Sequence, residues 1–161
     1  MSEEIPHAGS LAPDFTLKSQ TGEEIILSSF RNSKAVLLYF YPKADTPGCT
    51  TEACNFRDSY AAFQDMGVQI LGVSPDTVRK QAKFADKYTL PFPLLADEEH
   101  AVAELYGVWK EKSFMGKRYM GVERSTFLID KQGTIRKIYP KVSVTGHALE
   151  TQDAIREIVS E

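Results

Sequence analysis

The sequence predicts one α/β domain in which a mixed β-sheet lies between helices. Residues 35–41 form a continuous apolar run, which is typical of a central strand buried on both faces. From about residue 50 apolar side chains recur every three or four residues, and a second apolar run follows at 68–73. This strand–helix–strand order predicts two parallel strands joined by a right-handed crossover. Residues 130–133, Asp-Lys-Gln-Gly, predict the turn of an antiparallel hairpin at one edge.

The other elements are predicted from the same two periodicities. Short extended pieces at 15–17 and 25–27 flank a turn at 20–22. Helical spacing of apolar residues predicts helices at 50–66, 77–88, 98–106 and 147–159. Short apolar or β-branched runs predict strands at 94–96, 126–129 and 134–139. No pattern sets the conformation of residues 109–122.

The composition is that of an ordinary globular protein, and we expect a single domain over residues 1–161. The net charge of −3 shows no excess of basic residues, so neither nucleic acid nor an anionic membrane surface is an expected partner. No apolar segment approaches the roughly 18 residues of a membrane span. The acidic start, residues 1–4, is followed by no apolar run of the kind found in secretory signals. We therefore expect a cytoplasmic protein.

Cys49 and Cys54 are the only cysteines, too few for the disulfide framework of a small secreted domain. In a reducing compartment a close pair of this kind is more often reactive than structural. A zinc site is not expected, because His7, His100 and His147 are scattered and supply no second pair of ligands. We expect these histidines at the surface or at helix caps.

Cys49 follows a buried strand and stands at the predicted start of a helix, after a bend at Pro47 and Gly48. Loops at the carboxyl ends of central strands are where open α/β folds place their sites. A helix N-terminus also stabilises a thiolate, the nucleophilic form of cysteine, over the thiol. The alternative is that Cys49 is a small buried hydrophobic residue. Because its neighbours are polar or loop-forming, we expect it to lie outside the apolar core.

The spacing between the two cysteines argues against a permanent disulfide. Five residues apart on a helix, their side chains differ by about 140° in direction and about 7.5 Å in rise. Their Cα atoms would then be farther apart than the roughly 7 Å that a disulfide spans. The pair can therefore bridge only if the first turns of the helix unwind, as in a catalytic pair with two states. The spacing also differs from the C-x-x-C of thioredoxin-like reductants.

Residues 42–49, Pro-Lys-Ala-Asp-Thr-Pro-Gly-Cys, match the peroxiredoxin active-site pattern P-x-x-x-[T/S]-x-x-C. Continued to Cys54, the segment resembles the bacterioferritin comigratory protein or peroxiredoxin Q subgroup. Residues 9–17, 73–76 and 124–130 extend the resemblance over nearly the whole chain. It implies a thioredoxin-like fold with an N-terminal β-hairpin extension and an inserted strand and helix.

The resemblance implies a role for each residue that matches the motif. Cys49 would be the peroxidatic nucleophile and Cys54 the resolving cysteine. Thr46 would bond its hydroxyl to the thiolate and the peroxide, and Pro42 would shield the pocket from water. Arg124 would hold the thiolate and the polarised O–O bond, since a fixed guanidinium stabilises negative charge on both. From sequence alone, Arg124 is better interpreted as a surface charge before a strand.

Glu52 lies one helical turn after the nucleophile. It could orient Arg124 through a carboxylate–guanidinium pair. A solvated acid in the first turn of a helix is an equally good interpretation of the same residue.

The implied activity is reduction of hydrogen peroxide and organic hydroperoxides, with a Cys49–Cys54 disulfide that a thioredoxin-type dithiol reduces. No cofactor (metal, haem or flavin) is required. Two other classes are open: a general disulfide oxidoreductase, and a non-enzymatic redox sensor or holdase. A monomer is the default, because resolution within one subunit needs no second chain, and a dimer is the alternative.

Overall fold

The computed structural model describes residues 5–161, and the prediction about a secretory signal falls on residues 1–4, outside the described residues. Nine strands are found in this part of the chain: β1 (Thr16–Ser19), β2 (Glu24–Ile26), β3 (Ala35–Phe40), β4 (Val68–Ser74), β5 (Leu94–Ala96), β6 (Trp109–Phe114), β7 (Lys117–Val122), β8 (Ser125–Ile129) and β9 (Ile135–Tyr139). The α-helices are α1 (Pro47–Asp65), α2 (Val78–Tyr88), α3 (Ala101–Leu105) and α4 (His147–Val159). Within residues 5–161 no helix combines the length and apolar character that crossing a membrane requires.

Seven strands form one mixed sheet in the order β2-β1-β5-β4-β3-β8-β9. β3 runs parallel to β4 and β4 parallel to β5, whereas β1–β2 and β8–β9 are antiparallel hairpins. The predicted parallel pair and both hairpins are therefore confirmed. β3 is an interior strand that is buried along its whole length, so the loop after its carboxyl end opens at the middle of one sheet edge.

Alternate residues of β3 point to opposite faces of the sheet. Leu37 and Tyr39 pack in a cluster with α1, α2 and α4, whereas Val36 and Leu38 pack in a second cluster with α3. Helices thus cover both faces, as predicted. Gly72 of β4 lies against the Tyr39 ring, where an added Cβ would approach Cζ to 2.9 Å, so any other residue at this position would displace the buried ring.

Two helix boundaries differ from the predicted ones. α1 begins at Pro47 rather than near residue 50, with Thr46 in an extended conformation as its N-cap. Proline suits a first helical position because its fixed φ is helical and its missing N–H would have no partner there. α3 begins only at Ala101, because His100 before it has a left-handed backbone, φ 49°.

Residues 109–122, for which no conformation is predicted, form a separate antiparallel hairpin of β6 and β7. Its two-residue turn, Met115 and Gly116, has φ values of 51° and 80°, the positive pair of a type I′ turn. Glycine adopts such a φ freely but methionine rarely does, so the sequence carries only half of the usual turn signal. The base of the hairpin is fixed by Trp109, whose ring stacks on His100 with centroids 4.0 Å apart.

Candidate active site

The loop between β3 and α1 is tied to the segment that follows β4 and to the end of α2. The backbone N–H of Ala44 donates to the Asp76 carboxylate at 2.7 Å. The Asp45 carboxylate, on a residue with φ 60°, accepts from Tyr88 Oη at 2.9 Å and pairs with Lys87 at 3.0 Å. These contacts set the point at which α1 begins and therefore the direction in which its first turn faces.

Cys49 is buried, with 2% of its surface exposed, and belongs to the same core cluster as Tyr39. The expectation that polar neighbours would keep it out of the core was wrong. The cause is helical phase: Cys49 is the third residue of α1, and its side chain points down to the sheet while Pro47 and Gly48 are exposed. The first turn therefore places a sulfur among apolar groups at the edge of the core.

Arg124 supplies the polar contact to this sulfur. Its Nη2 donates to Cys49 Sγ at 3.3 Å, and its Nη1 donates to Glu52 Oε1 at 2.7 Å. The side chain is only 17% exposed, so its interpretation as a surface charge was wrong. Burial disfavours the charged guanidinium, but Glu52 and Cys49 outweigh that effect and raise the pKa of Arg124.

Backbone hydrogen bonds hold Arg124 in the segment between β7 and β8. Its carbonyl accepts from the N–H of Val142 at 2.9 Å, and the N–H of Glu123 donates to the Val108 carbonyl at 2.8 Å. These bonds fix the backbone that carries the guanidinium, and the bond to Glu52 fixes the end of the side chain beside the sulfur.

Glu52 is buried, with 1% of its surface exposed, so the interpretation as a solvated first-turn acid was wrong. Its Oε1 is bound by Arg124, whereas Oε2 is buried and has no hydrogen-bond partner among residues 5–161. Burial raises the pKa of Glu52 from 4.5 to about 7, although the Arg124 charge and hydrogen bond act in the opposite direction. Glu52 therefore exchanges a proton near neutral pH, beside the guanidinium that contacts the sulfur.

Thr46 and Pro42 lie in the loop before Cys49. The Thr46 hydroxyl donates to the Lys43 carbonyl at 2.8 Å, which leaves its oxygen as an acceptor and shows no bond to Cys49. Pro42 directly follows β3 and is half-buried. The roles implied for both residues remain predictions.

Cys54 is half-buried, and both cysteines are free thiols in an uninterrupted α1. The two cysteines are thus unpaired while the helix is folded; that they form no permanent disulfide stays a prediction. Unwinding of the helix to join them is a separate prediction.

Two further residues shape the site, and the sequence interpretation missed their part in it. An added Cβ at Gly48 would lie 3.2 Å from Arg124 Nη2, so the glycine leaves room for the guanidinium. Its position beside a candidate nucleophile was the available signal. Tyr39 has a buried hydroxyl without a hydrogen-bond partner in the described part of the chain, and burial raises its pKa. Nothing in an apolar strand sequence marks such a tyrosine.

His147 was predicted at the surface or at a helix cap. It does lie at the start of a helix, but the prediction of a surface position was wrong. It is the first residue of α4 and is 1% exposed. Its Nε2 shares a hydrogen with Thr126 Oγ1 at 2.8 Å, and its Nδ1 contacts Glu150 Oε1 at 2.7 Å. Burial lowers the pKa of His147, because the charged imidazolium is poorly solvated there. No group of three or more candidate metal ligands is found among residues 5–161.

Fold and site together define a thiol peroxidase: a buried cysteine begins a helix behind a central strand, and a guanidinium contacts its sulfur. The model of the AhpC/TSA family matches residues 8–138. Peroxiredoxin Bcp of Bacillus subtilis (strain 168) is 51% identical over 150 residues, which are 93% of this chain and 95% of that protein. The chain belongs to the AhpC/TSA family and is a peroxiredoxin of the Bcp type.

Other comparisons agree in sequence and in structure. Peroxiredoxin Bcp of Escherichia coli (strain K12) is 48% identical over 140 residues, covering 87% of this chain and 89% of the relative. A structure of a cysteine-to-serine mutant of Xylella fastidiosa PrxQ superposes with a TM-score of 0.90 at 30% identity and covers 96% of this chain and 98% of that chain. A structure of Xanthomonas campestris peroxiredoxin Q gives a TM-score of 0.86 at 36% identity over 90% and 91% of the two chains.

These matches confirm the thioredoxin-like fold and the family resemblance. Peroxiredoxins reduce hydroperoxides with electrons from thioredoxin-type reductants, and this chain is accordingly a thioredoxin-dependent peroxidase of antioxidant function.

Proposed function

We propose that Cys49 is the peroxidatic cysteine of this enzyme and that Cys54 resolves it within the same subunit. The observation that carries the proposal is the 3.3 Å contact between Arg124 Nη2 and a sulfur that is almost fully buried. In such a low-dielectric place a fixed positive charge stabilises the thiolate far more than it would in water. The first turn of α1 adds its partial positive charge on the same side.

The first step is an attack of the Cys49 thiolate on the terminal oxygen of a hydroperoxide ROOH. An S–O bond forms and the O–O bond breaks, so that sulfur becomes a sulfenic acid and the leaving RO⁻ takes a proton to become an alcohol, or water when R is hydrogen. Arg124 stabilises the charge that develops on the leaving oxygen. Glu52 holds the guanidinium in place as a positioning residue. In this proposal the Thr46 hydroxyl releases the Lys43 carbonyl and donates to the thiolate, its oxygen accepts from the peroxide O–H, and Pro42 keeps water from the pocket.

The second step requires the start of α1 to unwind. Cys54 Sγ attacks the Cys49 sulfenic acid, a disulfide forms, and the hydroxyl leaves as water. Opening must break the two Arg124 contacts and expose Ala53, which is fully buried in the closed helix. It can stop before Phe56, because the disulfide needs no residue beyond Cys54.

The third step is reduction by a thioredoxin-type dithiol through a mixed disulfide, which returns both cysteines to thiols. Neither metal nor organic cofactor takes part. We also propose that the chain works as a monomer, because all reacting groups belong to one subunit. A single domain, a cytosolic location and the absence of a nucleic-acid partner remain predictions.

Mass spectrometry of the protein after one equivalent of peroxide tests the assignment. Wild type should lose two hydrogens, mapped to a Cys49–Cys54 disulfide. Cys54→Ser should stop at one sulfenate and no longer turn over with thioredoxin, its reductase and NADPH. Cys49→Ser should consume no peroxide, and a full peroxidase rate in that variant would refute the assignment.

Two measurements separate the peroxidase from the two other functional classes. A general disulfide oxidoreductase would reduce insulin disulfides without peroxide. A redox sensor or holdase would give one stoichiometric oxidation and no sustained NADPH consumption.

A further inference from the structure

The β6–β7 hairpin exposes large apolar side chains at its tip. Phe114, the last residue of β6, is 68% exposed, and Met115, the first turn residue, is 87% exposed. Tyr119 and Met120 on β7 are about half exposed, at 50% and 49%. Phe114 and Met115 are neighbours at the tip, and large exposed apolar groups that lie together mark interaction sites in soluble proteins.

The net charge of this hairpin is opposite in sign to the net charge of the rest of the protein. Residues 109–122 contain four cations and one carboxylate, a net charge of +3, whereas the whole chain carries −3. The remainder therefore carries −6. The carboxylate, Glu111, is paired with Arg118 at 3.5 Å. The expectation of no anionic surface as a partner rests on the total charge, which conceals this local reversal.

The strand register divides the hairpin into two faces. The cross-strand pairs Lys110–Gly121, Lys112–Tyr119 and Phe114–Lys117 lie on one face, which has three lysines, two aromatic rings and no acid. Arg118 is on the opposite face, beside the same tip. Cations thus surround the apolar tip from both sides of the ribbon.

The shape of this element selects the kind of surface that it fits. A two-residue turn at the end of a two-stranded ribbon is narrow and convex, and a protein partner would need a matching apolar cavity lined by acids. A lipid headgroup layer needs no preformed cavity: apolar side chains enter about 5–10 Å, and cations remain with anionic headgroups. Tyrosine is also favoured at that depth.

We propose that the tip of the β6–β7 hairpin inserts Phe114 and Met115 into the headgroup region of an anionic lipid surface, where Lys117 and Arg118 bind the headgroups. The protein binds reversibly, because two apolar side chains and a few cations give only a weak anchor.

The hairpin also lies close to the site. The aliphatic stem of Lys112 crosses Gly121, where an added Cβ would lie 3.4 Å from Lys112 Cδ. β7 ends at Val122, two residues before Arg124, and burial together with the charge of Arg124 lowers the pKa of Lys112. Phe114 follows only two residues later. A docked tip would therefore present the Cys49 side of the enzyme to peroxides formed at the lipid surface, a consequence that rests on the proposed function.

Vesicle flotation tests the docking directly. The full-length wild type is mixed with vesicles of phosphatidylcholine and phosphatidylglycerol at a ratio of about 70:30, and separately with vesicles of phosphatidylcholine alone. We expect flotation with the first and not with the second, and loss of flotation at high salt.

Two variants and their matched controls locate the contact. Phe114→Ser combined with Met115→Ser should weaken vesicle binding at least tenfold, while Leu149→Ser, at a residue that is 64% exposed on α4, should bind as wild type does. Lys117→Gln combined with Arg118→Gln should weaken it about 25-fold, at about fivefold per charge. Arg79→Gln combined with Lys80→Gln removes a pair of exposed cations from α2 and should have no effect.

Wild type that fails to float with anionic vesicles would overturn the proposal, and so would a tip variant that floats like wild type. Variants that weaken binding of the thioredoxin-type reductant but not of vesicles would make the hairpin a protein-docking element instead. Peroxide turnover without vesicles is measured in parallel. Normal turnover shows that the variants are folded, and an absent Cys49–Cys54 disulfide would refute the proposed function without changing the flotation result.

Discussion

In its first eight residues, 47–54, helix α1 is held to the protein by polar contacts to one guanidinium and by the small buried side chains of Cys49 and Ala53. From Phe56 to Phe63 it is held by aromatic rings. Phe56 is fully buried and packs against Tyr39, with ring centroids 4.8 Å apart. The first half instead exposes Pro47, Gly48 and Thr51.

The difference locates where the helix can open. Polar contacts to Arg124 can be exchanged for water at modest net cost, because the groups that separate become hydrated. Fully buried rings have no such substitute, since every exposed square ångström of apolar surface costs free energy. The two cysteines belong to the half that can be released, and the aromatic half keeps the remainder of α1 on the sheet.

The largest expected effect comes from the aromatic half. Phe56→Ala should lower the free energy of unfolding by about 3–5 kcal/mol, because it removes a fully buried ring and leaves a cavity. Urea unfolding followed by circular dichroism measures the change. Asp58→Ala, an exposed residue of the same helix, should change it by less than about 0.5 kcal/mol. A loss below about 1 kcal/mol for Phe56→Ala would contradict the assignment of this half as the rigid one.

The next effect concerns the polar half. Arg124→Gln should lower the second-order rate constant for hydrogen peroxide by about 10²–10³, the usual effect of removing a charge-stabilising donor. Stopped-flow oxidation of the wild type and the variant gives the ratio. Arg156→Gln removes an exposed arginine on α4 and serves as the control. A ratio near one would mean that the 3.3 Å contact with Cys49 Sγ has no part in the reaction.

A smaller effect is expected in the pH dependence of stability. Because burial raises the pKa of Glu52 from 4.5 to about 7, the folded protein keeps a proton that the unfolded chain releases between these values. The contribution of Glu52 to the free energy of unfolding is therefore greatest below pH 4.5 and is lost as the pH rises to about 7.

The free energies of unfolding of wild type and Glu52→Gln, measured from pH 4 to 8, isolate this term. The difference, wild type minus variant, should fall by about 3 kcal/mol across the window and stay level above it. A difference that is independent of pH would mean that Glu52 ionises as it does in the unfolded chain, and the polar half would then be held more firmly than we describe.

Much of the fold could be predicted because its signals are local. The apolar run at 35–41 and the helical spacing after residue 50 depend only on neighbours in the chain, and both appear in the structure as β3 and α1. The hairpin of β6 and β7 could not be predicted, since its strands are mostly polar and Met115 takes a turn position that usually holds asparagine, aspartate or glycine.

By itself the sequence determined the order of strands and helices, the cysteine pair at the start of a helix and, through the motif of residues 42–54, the family. Only the tertiary structure decided that Cys49 and Glu52 are buried and that Arg124, 75 residues from Cys49, lies against both. The physical reason is that periodicity records which side of an element is apolar, whereas the meeting of distant polar groups depends on how complete elements pack.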